Sequence, residues 1–218
     1  MNARRAGRRT RYQRGQGTLE FQIIAALVLL PLLMAVLQMG LLIIAKNTLN
    51  AATLVAARAG AASGGDRTAM QNALAIGLAP LFAGGKGMSD VAANYGQVMG
   101  EAMLKSKLAT LVPGTITVIN PTAKSFSDFG IGSGAGKVIP VIGAYDNAQV
   151  GPASRQTRAD ALLLKIEVRY CHEMIIPIIN RIISTVSSCS FLPGNPSVPL
   201  SSQAIVRMTV PPAQANFK

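Results

Sequence analysis

From Phe21 to Ala45 the chain runs for 25 residues without a charge, a pattern that predicts a transmembrane helix. At about 1.5 Å rise per residue it outspans a hydrocarbon core of roughly 30 Å. The run does not close in a turn. A helical period continues through Leu49, Thr53 (or Ala52) and Ala56 of KNTLNAATLVAARAG, and Gly60 supplies a natural stop. One helix of roughly 40 residues is therefore expected to leave the membrane and enter the rest of the chain. Pro31 is expected to kink it, because proline removes an internal hydrogen bond and crowds the carbonyl one turn back.

Two further helices follow in the pattern. Asp66 caps one whose stripe is Met70, Leu74, Leu78 and Leu81, ending at Gly84-Gly85-Lys86-Gly87. Ser89 opens the next, with Val91, Tyr95, Val98 and Ala102 inward, joined after a phase drift by Leu104, Leu108 and Leu111. Glu101 and Lys105 form an i,i+4 pair on its wet side, and Pro113-Gly114 ends it.

The pattern then changes to strands. Residues 115–119 are short and β-branched, 120–136 read as a long loop, and Pro140 confines a strand over 137–142 to an edge. The strongest strand spans 161–170, with Leu162, Leu164, Ile166, Val168 and Tyr170 on one face and Lys165, Glu167 and Arg169 on the other. Ile175, Ile178, Ile179, Ile182, Ile183 and Val186 return to a helical stripe with Pro177 in its first turn. A last strand over 203–210 points Ala204, Val206, Met208 and Val210 inward. The expected fold class is α+β: a long N-terminal transmembrane and spine helix, then a small exported domain of two or three helices and a mostly antiparallel sheet. The expected division is a basic leader over 1–15, the anchor and spine over 16–60, and the exported domain over 61–218.

Composition agrees with an anchored chain. It is 50% hydrophobic and only 14% charged, against about a quarter charged in soluble domains. About 170 residues beyond the apolar run suffice for one modest core. The net charge of +12 is uneven: Arg4, Arg5, Arg8, Arg9, Arg11 and Arg14 precede the run, leaving 15 Lys/Arg against 9 Asp/Glu, or +6, for the rest. With 5% aromatics and no second basic cluster, nucleic-acid binding is not expected. The arginines instead hold the amino terminus in the cytoplasm and send the remainder out. A cleavable secretory signal has a shorter apolar region of about 7–15 residues, although Ala57-Arg58-Ala59 could imitate its cut site.

Candidate chemistry is sparse. Cys171 and Cys189 are the two cysteines and both lie in the exported part. An even number in an oxidising compartment suggests a disulfide worth about 3 kcal/mol; two buried thiols are the other reading. Cys171-His172-Glu173 cannot converge on one metal, and the chain has no second histidine. Residues 130–137 brush against a phosphate loop, but Ile131 stands where its first glycine belongs and Val138 where Ser or Thr belongs. No catalytic constellation and no cofactor site emerge, so an enzyme is not expected.

The sequence RGQGTLEF resembles the type IV prepilin processing site: Gly15, four residues, Glu20, then the aromatic Phe21. The continuation, with Leu29 to Leu33 reading LLPLL and Asn50 to Ala61 reading NAATLVAARAGA, resembles the TadE/TadG-like pseudopilins of tight-adherence pili. The resemblance covers about the first 60 residues. It implies cleavage between Gly15 and Gln16 by an aspartyl prepilin peptidase of the bacterial inner membrane. It also implies a single-pass protein with a periplasmic domain that assembles or primes an adhesive fibre. Its partners would be membrane lipid, that peptidase, other pilins and pseudopilins, and the inner-membrane assembly machinery. Gln16 departs from the Phe common at the first mature position of type IV pilins. After cleavage Gln16 would carry an α-ammonium group, with Glu20 one helical turn beyond. The carboxylate of one chain would then neutralise the ammonium of a neighbour and fix the register of a helix bundle. The other reading of Glu20 is an interfacial carboxylate solvated by headgroups or paired with Arg14. The alternative function is a single-pass inner-membrane protein whose periplasmic domain binds an envelope partner or ligand without entering a fibre.

Overall fold

The computed structural model describes residues 16–83, 95–111, 115–143, 149–173 and 197–217. A helical rod comes first. α1 (Gln16–Ile24) passes through a π-helical turn (Ala25–Leu29) into α2 (Leu30–Ala62). Pro31 enters at the start of α2. The disturbance expected from it takes the form of the wider turn immediately before, where the carbonyl facing the proline ring lies. Gly60 does not stop the helix, because it is packed inside the last turn. A Cβ there would meet Met70 at 2.7 Å and Leu164 at 2.9 Å. The turn is made by Gly64 and Gly65, at φ 68° and 90°, with the Gly65 N–H donating to the Gly60 carbonyl at 2.8 Å.

α3 (Arg67–Ala83) returns along the spine. Asp66 caps it as expected, accepting the N–H groups of Thr68 at 3.2 Å and Ala69 at 3.1 Å. Met70, Leu74 and Leu78 are fully buried against α2. The fit depends on small residues: a Cβ on Gly77 would stand 2.7 Å from Cα and Cβ of Ala52. Here the two helix backbones nearly touch.

α4 (Tyr95–Thr110) packs on α3, and it corrects the expected phase. Ala102, Ser106, Ala109 and Thr110 are buried, whereas Leu104, Leu108 and Leu111 are 62%, 53% and 63% exposed. Helical geometry puts these two sets on opposite sides; the short side chains let α4 lie close, and the leucines face away. The expected helix start at Ser89, with Val91, lies outside the described residues, as do the side chains of Tyr95 and Val98.

Among the described residues the sheet has strands β1 (Ile116–Asn120), β2 (Leu163–Glu173) and β3 (Ser197–Arg207), antiparallel in the order β1-β2-β3. The alternation expected of β2 holds: Leu164, Ile166 and Val168 are fully buried and meet Leu49, Ala52, Ala56, Ala57 and Ala61 of α2. The fold is α+β. β3 begins at Ser197, earlier than expected, and Pro199 lies within it. An edge strand tolerates a proline, since one row of its N–H groups faces away from the ladder. Val210 is exposed, not inward. The strand has ended at Arg207, and the N–H groups of Thr209 and Val210 turn to the Ala61 carbonyl at 3.2 and 3.3 Å.

The stretch 120–161 departs furthest from expectation. Within the expected loop lies α5 (Ala123–Phe129), opened by a capping box between Thr122 and Ser125. A second box, between Thr157 and Asp160, opens the short α6 (Arg158–Ala161). The strand expected over 137–142 does not form. Val138 makes single bridges to Ile131 and Ala213, and Ile139 buries itself with Phe126, Ala161 and Leu162 in a satellite core. Asn120 ties this lobe to the sheet: its amide nitrogen donates to the carbonyls of Asp160 and Leu163, and its oxygen accepts from Gln156 at 3.1 Å.

Cys171 stands opposite Pro199 in β2 and is not a free thiol. Cys189 and the isoleucine stripe over 175–186 lie outside the described residues. Non-reducing peptide mapping is expected to recover the Cys171 and Cys189 peptides linked to each other. Alkylation of both thiols in native protein would refute the pairing.

Candidate functional site

The first turns of the rod carry the candidate processing and assembly residues. Gly15 lies outside the described residues. Gln16 opens α1, and Glu20 is exposed one turn later on the same helix. Beyond it the helix wears its hydrophobes outward. Phe21 is 69% exposed, and large apolar side chains from Leu19 to Ile44 remain open around most of the circumference. A surface of that kind is stable in lipid, not in water.

Gln38 is the exception, 1% exposed within this stretch, and regular burial begins further on. Ala45 and Leu49 are fully buried, followed by Ala52, Thr53, Ala56 and Ala57. The rod is therefore an anchor up to Ile44 and a spine from Ala45. The continuous helix Gly17–Ala62 has 46 residues and a mean hydropathy of 2.7 over its most apolar stretch, which indicates membrane anchoring. The alanine-rich half is a track on which α3 and the sheet lie close, and this use of NAATLVAARAGA was not foreseen from sequence. Its signal was the run of small residues repeating at helical spacing, the composition that close helix packing requires.

Elsewhere, a groove is lined by Asp128, Phe129, Ile131, Pro140, Val150 and Arg158, among others. Its charged groups are engaged internally. Asp128 accepts from Ser154 Oγ at 2.6 Å, Ser154 N at 2.7 Å and Ala153 N at 3.2 Å, while Arg158 donates to the Gly143 carbonyl. The Ser154 hydroxyl, outweighing desolvation, and the two N–H groups hold the Asp128 carboxyl below its ordinary value. Its folded pKa lies below the unfolded one, so this clasp contributes stability above the ordinary carboxylate value. The contribution fades as pH falls through the folded value. Hydrogen exchange at the Ala153 and Ser154 amides should therefore stay protected down to the ordinary carboxylate range and quicken only below it. In Asp128→Asn the quickening should be present at neutral pH; unchanged protection in that variant would contradict the clasp.

His172 follows Cys171 in β2, so their side chains leave opposite faces of the sheet, and the His172 ring stacks towards Tyr170 at 6.2 Å between centroids. Among the described residues, no group of three or more His, Cys, Asp or Glu could hold a metal ion.

No curated protein and no solved structure matches the chain. The family model for TadE-like protein matches residues 15–58, from Gly15 through the apolar run and into the alanine track. Over this N-terminal fifth, the anchor and the start of the spine, the chain is similar to the TadE-like family.

Proposed function

We propose that the chain is a minor pseudopilin: a non-enzymatic, single-pass protein of the bacterial inner membrane that helps assemble or prime a tight-adherence pilus. An N-terminal apolar helix in a TadE-like segment fits a pilus-related membrane protein, and one observation supports the finer reading. A single helix turns large apolar side chains outward up to Ile44, Gln38 being buried among them, and bears the domain from Ala45, so lateral association of such helices in the membrane would carry their domains along in register. Prepilin peptidase would cut between Gly15 and Gln16. Glu20 would then meet the Gln16 ammonium of a neighbouring pilin or pseudopilin, so that neither charge stays unpaired in the low-dielectric bundle.

Six arginines before the anchor set the orientation, amino terminus in the cytoplasm and exported domain in the periplasm. A periplasm-dependent reporter fused after Lys218 should be active, and a cytoplasm-dependent one silent. The reverse result overturns the topology and the function with it. If the fusion is exported but the leader stays attached to chains that never enter a pilus fraction, the chain is instead a bitopic protein whose domain binds an envelope partner or ligand.

A further inference from the structure

The outward-facing apolar run and the packed domain meet without a spacer: Ile44 is 61% exposed and Ala45 fully buried. One end of the domain therefore lies at the level where the apolar run stops. The other end is marked by Leu164, 2.9 Å from a Cβ built on Gly60, and by the Thr209 N–H donating to the Ala61 carbonyl. From there the β2–β3 ladder runs from Leu163 opposite Arg207 to Glu173 opposite Ser197. α3 takes the same direction. Its Gly77 meets Ala52, and Phe82, further towards Ala45, sets its ring edge-on to Tyr170 at 6.2 Å. From Leu164 to His172 the strand advances about 27 Å, whereas Gly60 to Ala45 is about 22 Å of helix. The tip of the sheet reaches the end of the apolar run. Composition changes in the same direction: Lys165, Glu167, Arg169 and Arg207 belong to the Gly60 half of the ladder, while residues 170–172 and 197–206 carry no charge. Tyr170, His172, Val198 and Leu200 are half-buried and Pro199 is exposed. Gln38, inside the apolar run, is itself covered, so the fold extends down one side of the rod past Ala45.

We propose that this tip of the sheet, Tyr170, His172 and Val198 to Leu200, is seated in the headgroup zone of the bilayer beside the anchor, in contact with phospholipid. The occupant follows from the continuity of anchor and spine in one helix, which holds that end of the domain at the membrane surface. The side chains suit it: Tyr and His present apolar bodies with polar tips, the kind of residue that sits between hydrocarbon and water. Glu173, the first charge after Arg169 along β2, sets the depth, because a carboxylate is accommodated among headgroups and is costly in hydrocarbon. The domain then stands upright on the bilayer. Its satellite lobe is at the far end, where the Ala213 N–H donates to the Gly64 carbonyl and Val138 bridges both Ala213 and Ile131. The inference rests on membrane anchoring and not on a role in a pilus.

The chain has no tryptophan, so single-tryptophan variants report depth directly. Full chains carrying Tyr170→Trp, Pro199→Trp, Ile131→Trp or Leu33→Trp are reconstituted in phosphatidylcholine vesicles whose acyl chains are brominated either close to the headgroup or near the bilayer centre. Tyr170→Trp and Pro199→Trp should lose emission chiefly to the shallow bromines, Leu33→Trp chiefly to the deep ones, and Ile131→Trp to neither. The two tip reporters stand on different strands, and Pro199 is exposed on an edge strand, so a reporter that disturbs folding leaves the other to decide. Tip emission quenched no more than that of Ile131→Trp overturns the proposal; if acrylamide also fails to reach the tip, protein and not lipid covers it. Quenching of Ile131→Trp as strong as that of the tip overturns it too, since the domain would then lie flat. An unquenched Leu33→Trp would refute the anchor itself, whereas a quenched Leu33→Trp beside an unquenched tip refutes the seating alone.

Discussion

Gly77→Val should destabilise the α+β domain that follows the apolar helix by about 2–3 kcal/mol. At this position α3 crosses the spine with no room to spare: a Cβ would lie 2.7 Å from both Cα and Cβ of Ala52. The first belongs to the helix backbone and the second is fixed directly to it, so neither can rotate aside as a side-chain end can. The two helices must separate, and the buried contacts of Leu49, Leu74 and Leu78 weaken with them. The change also removes a helix-interior glycine, which alone would favour the helix by a few tenths of a kcal/mol, so a net loss isolates the steric effect. Gly100→Ala supplies the opposite sign, because open space surrounds that position; it should gain about 0.5–1 kcal/mol. Denaturant unfolding of the detergent-solubilised full chain, followed by tyrosine fluorescence, measures both. A Gly77→Val variant as stable as the parent would mean that α3 does not rest on the alanine track.

The second large effect concerns assembly. Glu20→Gln should leave cleavage nearly normal yet remove the chain from the pilus fraction, since a neutral amide leaves the neighbour's Gln16 ammonium unpaired in a low-dielectric bundle. Breaking such a pair by removing one partner costs about 3–5 kcal/mol, enough to reduce incorporation more than a hundredfold. Glu20→Asp keeps the charge but shortens its reach by one methylene, and should be intermediate. Gly15→Val should act one step earlier, because a Cβ obstructs the peptidase's approach to the backbone; the chain should stay in the inner membrane with its leader attached. Size on a gel and copurification with pili separate the two defects. If Glu20→Gln assembles as well as the parent, the charge-pairing mechanism is wrong even where the family assignment stands.

The elements most legible in the sequence were those governed by one strong period. The charge-free run from Phe21, the Asp66 cap and the alternation of β2 each follow from a single physical rule, and the structure has all three. Legibility fell where two rules competed. The leucines of α4 read as a core stripe because size usually decides burial, but close packing on α3 selected alanine and serine. Residues 120–136 read as loop because their glycines outweighed the Thr122-to-Ser125 capping box that starts α5. Pro31 announced a disturbance in the helix, and only the structure shows that a π turn absorbs it. At the candidate site, the spacing from Gln16 to Glu20 follows from the helix alone, while the residues covering the spine are distant in sequence and left no local mark.

The central claim is that this anchored chain is trimmed at its leader and retained by its helix. Mass spectrometry of the intact protein, extracted from the membrane without protease, tests it most directly. A mature chain beginning at Gln16 is expected, with Gly15→Val shifting the mass back by the full leader. A mature terminus beyond Ala57, with the apolar helix gone, would contradict it, as would a chain that keeps Met1 through Gly15 in cells that make the pilus.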